Sequence, residues 1–95
     1  MIRHSVVFKL KHKKGSAEEA SFLEEAKALA EIAVVQRFEC LKEISPKNDF
    51  EYGLSMEFVD QAAYDEYNTH PDHVAFVNDR WLSEVEAFLE IDYAL

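Results

Sequence analysis

The stretch YNTHPDHV, residues Tyr67–Val74, interrupts a helical pattern with a proline and gathers titratable side chains around it. It holds a phenol, two imidazoles and a carboxylate. Because the residue before a proline is pushed out of the α region, His70 must end the preceding helix. Pro71 then suits the first turn of a new helix, where its missing N–H would have no partner. The stretch therefore predicts two helices, with His70 and Pro71 as the structural break between them.

The sequence on either side of this break completes the second half of the fold. Asp60 is suited to cap a short helix that carries Ala63, Tyr64 and Tyr67. After the break, one apolar residue per helical turn predicts a longer helix whose inner stripe comprises Val74, Val77, Trp81, Val85 and Phe88. Leu89, Ile91 and Tyr93 then alternate with polar residues, which predicts a closing strand.

The first half of the chain predicts strands around one helix. Apolar residues and His4 alternate with polar ones from Ile2 to Leu10, so the first strand has one buried face, and His4 lies on it. A capping box at Ser16–Glu19 starts a helix from about Ala17 to Ala33. A second strand is predicted over Val34–Ile44, and a third, with Tyr52 on its buried face, over Phe50–Phe58.

The order of these elements is β-α-β-β-α-α-β, which is typical of an α+β, ferredoxin-like fold with the second helix split. We expect a four-stranded antiparallel sheet with helices on one face. Ninety-five residues suit a single domain over 1–95. The other sheet face mixes small, apolar and charged residues, so it permits either a dimer interface or plain contact with solvent.

The charge balance excludes several classes of partner. The chain has 10 Lys+Arg against 19 Asp+Glu, a net charge of -9. This disfavours nucleic acid, whose binding needs a basic surface, and it disfavours anionic membranes for the same reason. Cys40 is the single cysteine. We therefore predict no internal disulfide, no signal or membrane segment, and a cytoplasmic location.

His73 and Tyr67 are the candidate catalytic residues. His73 falls in the first turn of the predicted helix, where unpaired N–H groups disfavour imidazolium. A neutral imidazole can act as a general base, although Asp72 opposes this effect. Tyr67 is suited to donate a hydrogen bond to a carbonyl or enolate oxygen. The alternatives are a histidine with a purely local hydrogen bond and an ordinary core tyrosine.

Three polar rings, those of His4, Tyr52 and Tyr67, occupy helix-facing positions and would converge if their strands are neighbours. With His73 they form the predicted ligand pocket. We predict no metal site, because His70, Asp72 and His73 lack a third strong ligand and need not face one way. With two isolated glycines, a phosphate or dinucleotide loop cannot form, so no cofactor is predicted.

Three segments resemble the stress-responsive A/B barrel (Dabb) family: His4–Lys11, Phe50–Leu54 and Tyr67–Phe76. The resemblance covers essentially the whole chain. It implies a homodimer of the dimeric α+β barrel superfamily, in which two sheets join into a barrel with the helices outside. It also implies a pocket between the sheet and the helices of each protomer.

The family includes a plant polyketide cyclase that forms olivetolic acid by an intramolecular aldol closure without a cofactor. By this resemblance His73 would be the base, Tyr67 would polarise the carbonyl, and His4 would line the pocket. The cyclase has a histidine where this chain carries Tyr52, which is a departure at one wall of the pocket.

Three functions follow from the sequence. The first is a homodimer that binds an apolar or aromatic small molecule between sheet and helices. The second is a cofactor-independent cyclase or isomerase that uses His73 and Tyr67. The third is a structural stress-response dimer with a filled core. A cavity of about 300 Å³ or more would favour the first two.

Overall fold

The computed structural model describes all 95 residues. The strands are β1 (Ile2–Leu10), β2 (Gln36–Lys42), β3 (Tyr52–Phe58) and β4 (Val85–Ala94). The helices are α1 (Ala17–Lys27), α2 (Gln61–Thr69), α3 (Pro71–Phe76) and α4 (Leu82–Glu84). A 3₁₀ turn, Ala28–Glu31, extends α1, and a π-helical segment, Val77–Trp81, joins α3 to α4. No helix has the length and apolar character that crossing a bilayer requires.

The four strands form one antiparallel sheet in the order β2-β3-β1-β4, and the predicted ferredoxin-like α+β fold is confirmed. The central strand β1 places His4 beside Met56 on one side and Asp92 on the other. Alternation along β1 then buries every second side chain against the helices, namely His4, Val6, Phe8 and Leu10. This helix-facing side is the inner face of the sheet.

The start of α1 is fixed by its cap. The Ser16 hydroxyl accepts a hydrogen bond from the Glu19 backbone N–H at 3.2 Å, as the capping box predicts. The Glu19 carboxylate turns back and accepts from the Gly15 N–H at 3.1 Å. Gly15 has φ +79°, a left-handed conformation that glycine adopts without steric cost and that closes the loop before the helix.

The chain changes direction between α2 and α3. His70 is extended, with φ -63° and ψ 135°, and its imidazole accepts a hydrogen bond from the Asp72 N–H at 3.1 Å. Pro71 is the first residue of α3. The Asp60 carboxylate caps the start of α2 by accepting from the Ala63 N–H at 2.9 Å.

Aromatic side chains fill the core between the sheet and the helices. Phe8, Phe22 and Phe58 are fully buried, and the Phe8 and Phe22 ring centroids lie 5.7 Å apart. Trp81 packs on Phe8 at 5.2 Å, and Phe58 stacks on Tyr64 at 4.9 Å with an interplanar angle of 3°. The core is therefore continuous from α1 to α2 beneath the sheet.

The structure corrects the predicted end of the last helix. The helical run ends at Glu84, so Val85 and Phe88 belong to β4 and not to a helical stripe. Val74, predicted on the same stripe, is exposed. The reason is the pairing of β4 with nearly the whole length of β1, which draws residues 85–94 into the sheet.

Three other boundaries differ from prediction. The regular helix α1 ends at Lys27 with the 3₁₀ turn reaching Glu31, short of Ala33. Strand β3 begins at Tyr52 and not at Phe50. Strand β2 covers Gln36–Lys42 only, and its pairing with β3 shifts register between Gln36 and Glu39. Arg37, within this irregularity, has φ 51°.

Candidate functional site

A cavity of about 280 Å³ lies between the inner face of the sheet and the helices. Most of its wall is apolar. The sheet contributes Val6, Leu54, Met56 and Phe88, and the helical segments contribute Leu29, Phe76, Val77, Trp81 and Leu82. The remaining lining residues, His4, Tyr67, His73 and Glu90, make the wall polar at one end. Such a combination suits a small molecule with an apolar body and one polar group.

His4 is held by two partners that the sequence pattern does not identify. Its Nδ1 lies 2.6 Å from Asp92 Oδ1 and 2.8 Å from the Tyr64 hydroxyl oxygen. The Tyr64 hydroxyl in turn donates to Asp92 Oδ2 at 3.0 Å. Because an ionised carboxylate can only accept, Nδ1 carries the proton in this bond.

Tyr67 and His73 lie together on the helical side of the cavity. Their ring centroids are 4.3 Å apart, and the Tyr67 ring is 6.3 Å from that of His4. His73 Nδ1 donates to the Asn68 carbonyl at 3.3 Å, so its Nε2 is an acceptor. The Pro71 break produces this geometry, because it turns the first turn of α3 back over the end of α2.

Burial shifts the pKa values of Tyr67 and His73 in opposite directions. Burial raises the pKa of Tyr67, and the negative charge of Glu90 raises it further. Burial lowers the pKa of His73, an effect that outweighs the opposing hydrogen bond to Asn68. At neutral pH the tyrosine is therefore a hydrogen-bond donor, and the histidine is a neutral acceptor.

Strand β4 supplies the two carboxylates of the site. Glu90 pairs with Val6 and Asp92 pairs with His4, so both side chains project from the inner face. Sequence reasoning missed them, because the helical spacing of Val85 and Phe88 hides the start of the closing strand and leaves its inner face undefined. The sequence did contain a signal, because Glu90 and Asp92 alternate with the apolar row Leu89, Ile91 and Tyr93. Neighbouring residues of a strand point to opposite faces, so this alternation places the two carboxylates on the face opposite the apolar row.

Tyr52, predicted in the pocket, is not among the residues that line the cavity. Its ring packs against Phe8, with centroids 6.0 Å apart, toward the opposite end of the sheet. Burial raises the pKa of its phenol to about 12, and the nearby Glu19 carboxylate adds to this effect. The sequence predicted that the rings of His4, Tyr52 and Tyr67 converge. In the structure the rings that meet at the cavity are those of His4, Tyr67 and His73.

His70 likewise lies outside the cavity, since its imidazole caps α3. Its Nδ1 is 4.0 Å from the Asp72 carboxylate. No group of three His, Cys, Asp or Glu side chains in the chain is arranged to hold a metal ion.

The chain belongs to the stress responsive A/B barrel (Dabb) family, whose model matches residues 2–95. A Dabb family protein with a ferredoxin-like fold from Mesorhizobium loti is 62% identical, with a TM-score of 0.96 over 99% of this chain and 95% of that protein. No curated protein matches the chain significantly in sequence.

Two further solved structures share the fold alone. A dimeric protein of unknown function from Bacteroides fragilis is 24% identical, with a TM-score of 0.75 over 99% of this chain and 95% of the other. A hydroxynitrile lyase from Passiflora edulis is 15% identical, with a TM-score of 0.85 over 99% of this chain and 92% of the lyase.

We predict that the His73 imidazole titrates below about 6.5, the value of an unperturbed histidine. The measurement is the pH dependence of the His73 Cε1–H NMR signal, assigned by its loss in His73→Gln.

Because the folded protein then binds fewer protons than the unfolded chain, His73 destabilises the fold as pH falls below about 6.5. The free energy of unfolding should therefore fall less on acidification in His73→Gln than in wild type. Titration at or above about 6.5 would contradict the assignment.

Proposed function

We propose that this member of the Dabb family is a cytoplasmic homodimer that binds a small apolar or aromatic molecule in the cavity between its sheet and helices. The observation that carries the proposal is an unfilled apolar cavity closed at one end by His4, Tyr67 and His73. Its volume of about 280 Å³ lies just below the roughly 300 Å³ at which the range for ligand sites begins, so the ligand must be small.

The residues that line the cavity favour ligand binding over the alternative of a structural dimer with a filled core. Tyr67 is 2% exposed and lines the cavity, and its hydroxyl makes no hydrogen bond to another residue of the chain. The hydroxyl oxygen is not among the fully buried polar atoms that lack a partner, so it is accessible to a ligand in the cavity that Tyr67 lines. A ligand with one polar atom would satisfy this hydroxyl while its apolar body covers the remaining wall.

The outer face of the sheet supports association of two copies. The register aligns Val7 with Leu89 and Ser5 with Ile91 on the face away from the helices. Leu89, Ile91 and Tyr93 are 51%, 38% and 51% exposed, an apolar row along one strand that monomers rarely leave uncovered. The Bacteroides protein that shares the fold is dimeric, which supports association of two copies.

A second candidate function is cofactor-free acid–base catalysis. The neutral His73, with its free Nε2, is suited to remove a proton from a carbon next to a carbonyl. Tyr67, kept protonated by its raised pKa, is suited to donate to the carbonyl oxygen. The hydroxynitrile lyase indicates that this fold is compatible with an enzyme, and it says nothing about the reaction of this chain.

We predict that a neutral alkylphenol such as 4-propylphenol binds in the cavity. In isothermal titration calorimetry, Val77→Trp should weaken binding by at least about tenfold, since the larger side chain occupies the space that the ligand needs. Val74→Trp is the matched control, because Val74 is exposed on the adjoining helix and does not line the cavity. Equal affinity of both variants would place the ligand elsewhere, and no binding at millimolar concentration would refute the proposal.

We predict that the chain sediments as a dimer at micromolar concentration and that Leu89→Lys raises the dimer dissociation constant by at least about a hundredfold. The reason is that burying an unpaired ammonium costs several kcal/mol. Val74→Lys, which places the same charge on the helical side, should leave the dimer intact. A monomeric wild type in sedimentation velocity would remove the dimer from the proposal.

For catalysis, the expected result on a panel of β-keto thioesters is a loss of at least about a hundredfold in kcat/KM for His73→Ala and about tenfold or more for Tyr67→Phe. Tyr52→Phe, which removes the hydroxyl of a tyrosine that does not line the cavity, is the control. Rates equal to wild type in both site variants would exclude the two residues from any such mechanism.

A further inference from the structure

Glu90 gives the polar end of the cavity an uncompensated negative charge. It is one of four polar or titratable residues in the wall, and none of the lining residues is a lysine or an arginine. Two other carboxylates of the sheet are paired, Asp92 with His4 and Glu57 with Arg3. Glu90 has no such partner, although its charge is close enough to act on Tyr67 and His73.

The cavity wall offers two acceptors to a ligand. The Nδ1 of His73 donates to the Asn68 carbonyl, which leaves the Nε2 of this neutral ring as an acceptor. The Glu90 carboxylate is the second, and both match a ligand with several N–H donors. The Tyr67 hydroxyl supplies a donor in the same wall.

We infer that the cavity selects ligands that carry a protonated amine at one end of an apolar body, and that Glu90 sets this selectivity. This inference rests on the proposed binding function and names the class of ligand. An ammonium group supplies three donors and a positive charge that Glu90 attracts. The rings of Tyr67, Trp81 and Phe88 line the same cavity and offer faces to a cation.

A carboxylate head would meet the opposite conditions. It brings no donor to satisfy the acceptors, and it places a second negative charge near Glu90 in a wall without lysine or arginine. Glu90 is exposed, so water and salt screen part of this repulsion, and its effect on affinity is largest at low salt. We therefore expect acids to be excluded even when their apolar bodies fit.

The test compares three ligands with one apolar body: 4-propylbenzylamine, 4-propylbenzyl alcohol and 4-propylbenzoate. Calorimetry on the full-length protein at pH 7 and low salt should rank the amine at least about tenfold tighter than the alcohol, with the benzoate weakest. In Glu90→Gln the difference between amine and alcohol should fall below about threefold. Glu86→Gln is the matched control, because it removes the same charge from the same strand outside the cavity.

The possible outcomes separate this inference from the proposal on which it rests. If the alcohol binds and the amine is no tighter, or if the benzoate is the tightest, the inference is wrong while small-molecule binding stands. The inference is also wrong if Glu86→Gln reduces the selectivity as much as Glu90→Gln does. If none of the three ligands binds at millimolar concentration, the inference and the proposed function both fail.

Discussion

The pairing of β1 on both of its edges is the constraint on which the rest of the molecule depends. As the strand between β3 and β4, it fixes which residues of both neighbours face the helices. A slip of one residue would turn Phe8, which is fully buried, toward the outside and Lys9 toward the core, so the register is strongly specified. The same register sets Asp92 opposite His4. The sheet side of the polar end, formed by His4 and Glu90 of neighbouring strands, is thus a consequence of strand pairing.

This pairing also explains which parts of the fold follow from sequence. The inner row of β1 could be predicted because alternation is a local signal, and the break at His70 could be predicted because proline restricts its neighbour locally. The end of the last helix could not. Val85 and Phe88 continue the helical spacing of Trp81, and no local signal in the sequence shows that their backbone pairs with β1. A long-range hydrogen-bonded ladder overrides the local pattern there.

The candidate site was predictable to the extent that its residues lie on well-defined faces. His4, Tyr67 and His73 meet because a buried strand position and a helix break bring them together. Tyr52 shares the inner face but pairs with Phe8, four residues along β1 from His4. A shared face does not imply a shared end of the sheet. Asp92 and Tyr64, which fix the His4 ring, are partners that only the three-dimensional register identifies.

The charge at the cavity bears on the choice between binding and catalysis. Removal of a proton next to a carbonyl creates an enolate, whose negative oxygen must be stabilised by donors or by positive charge. At its polar end the wall offers the Tyr67 hydroxyl as a donor, and the wall contains no lysine or arginine, while Glu90 opposes the developing charge. An ammonium ligand reverses this balance, because the same carboxylate then stabilises the complex. His73 is therefore a candidate base that lies in the same cavity wall as a negative charge, that of Glu90. This charge favours binding of a cationic ligand and disfavours an anionic intermediate.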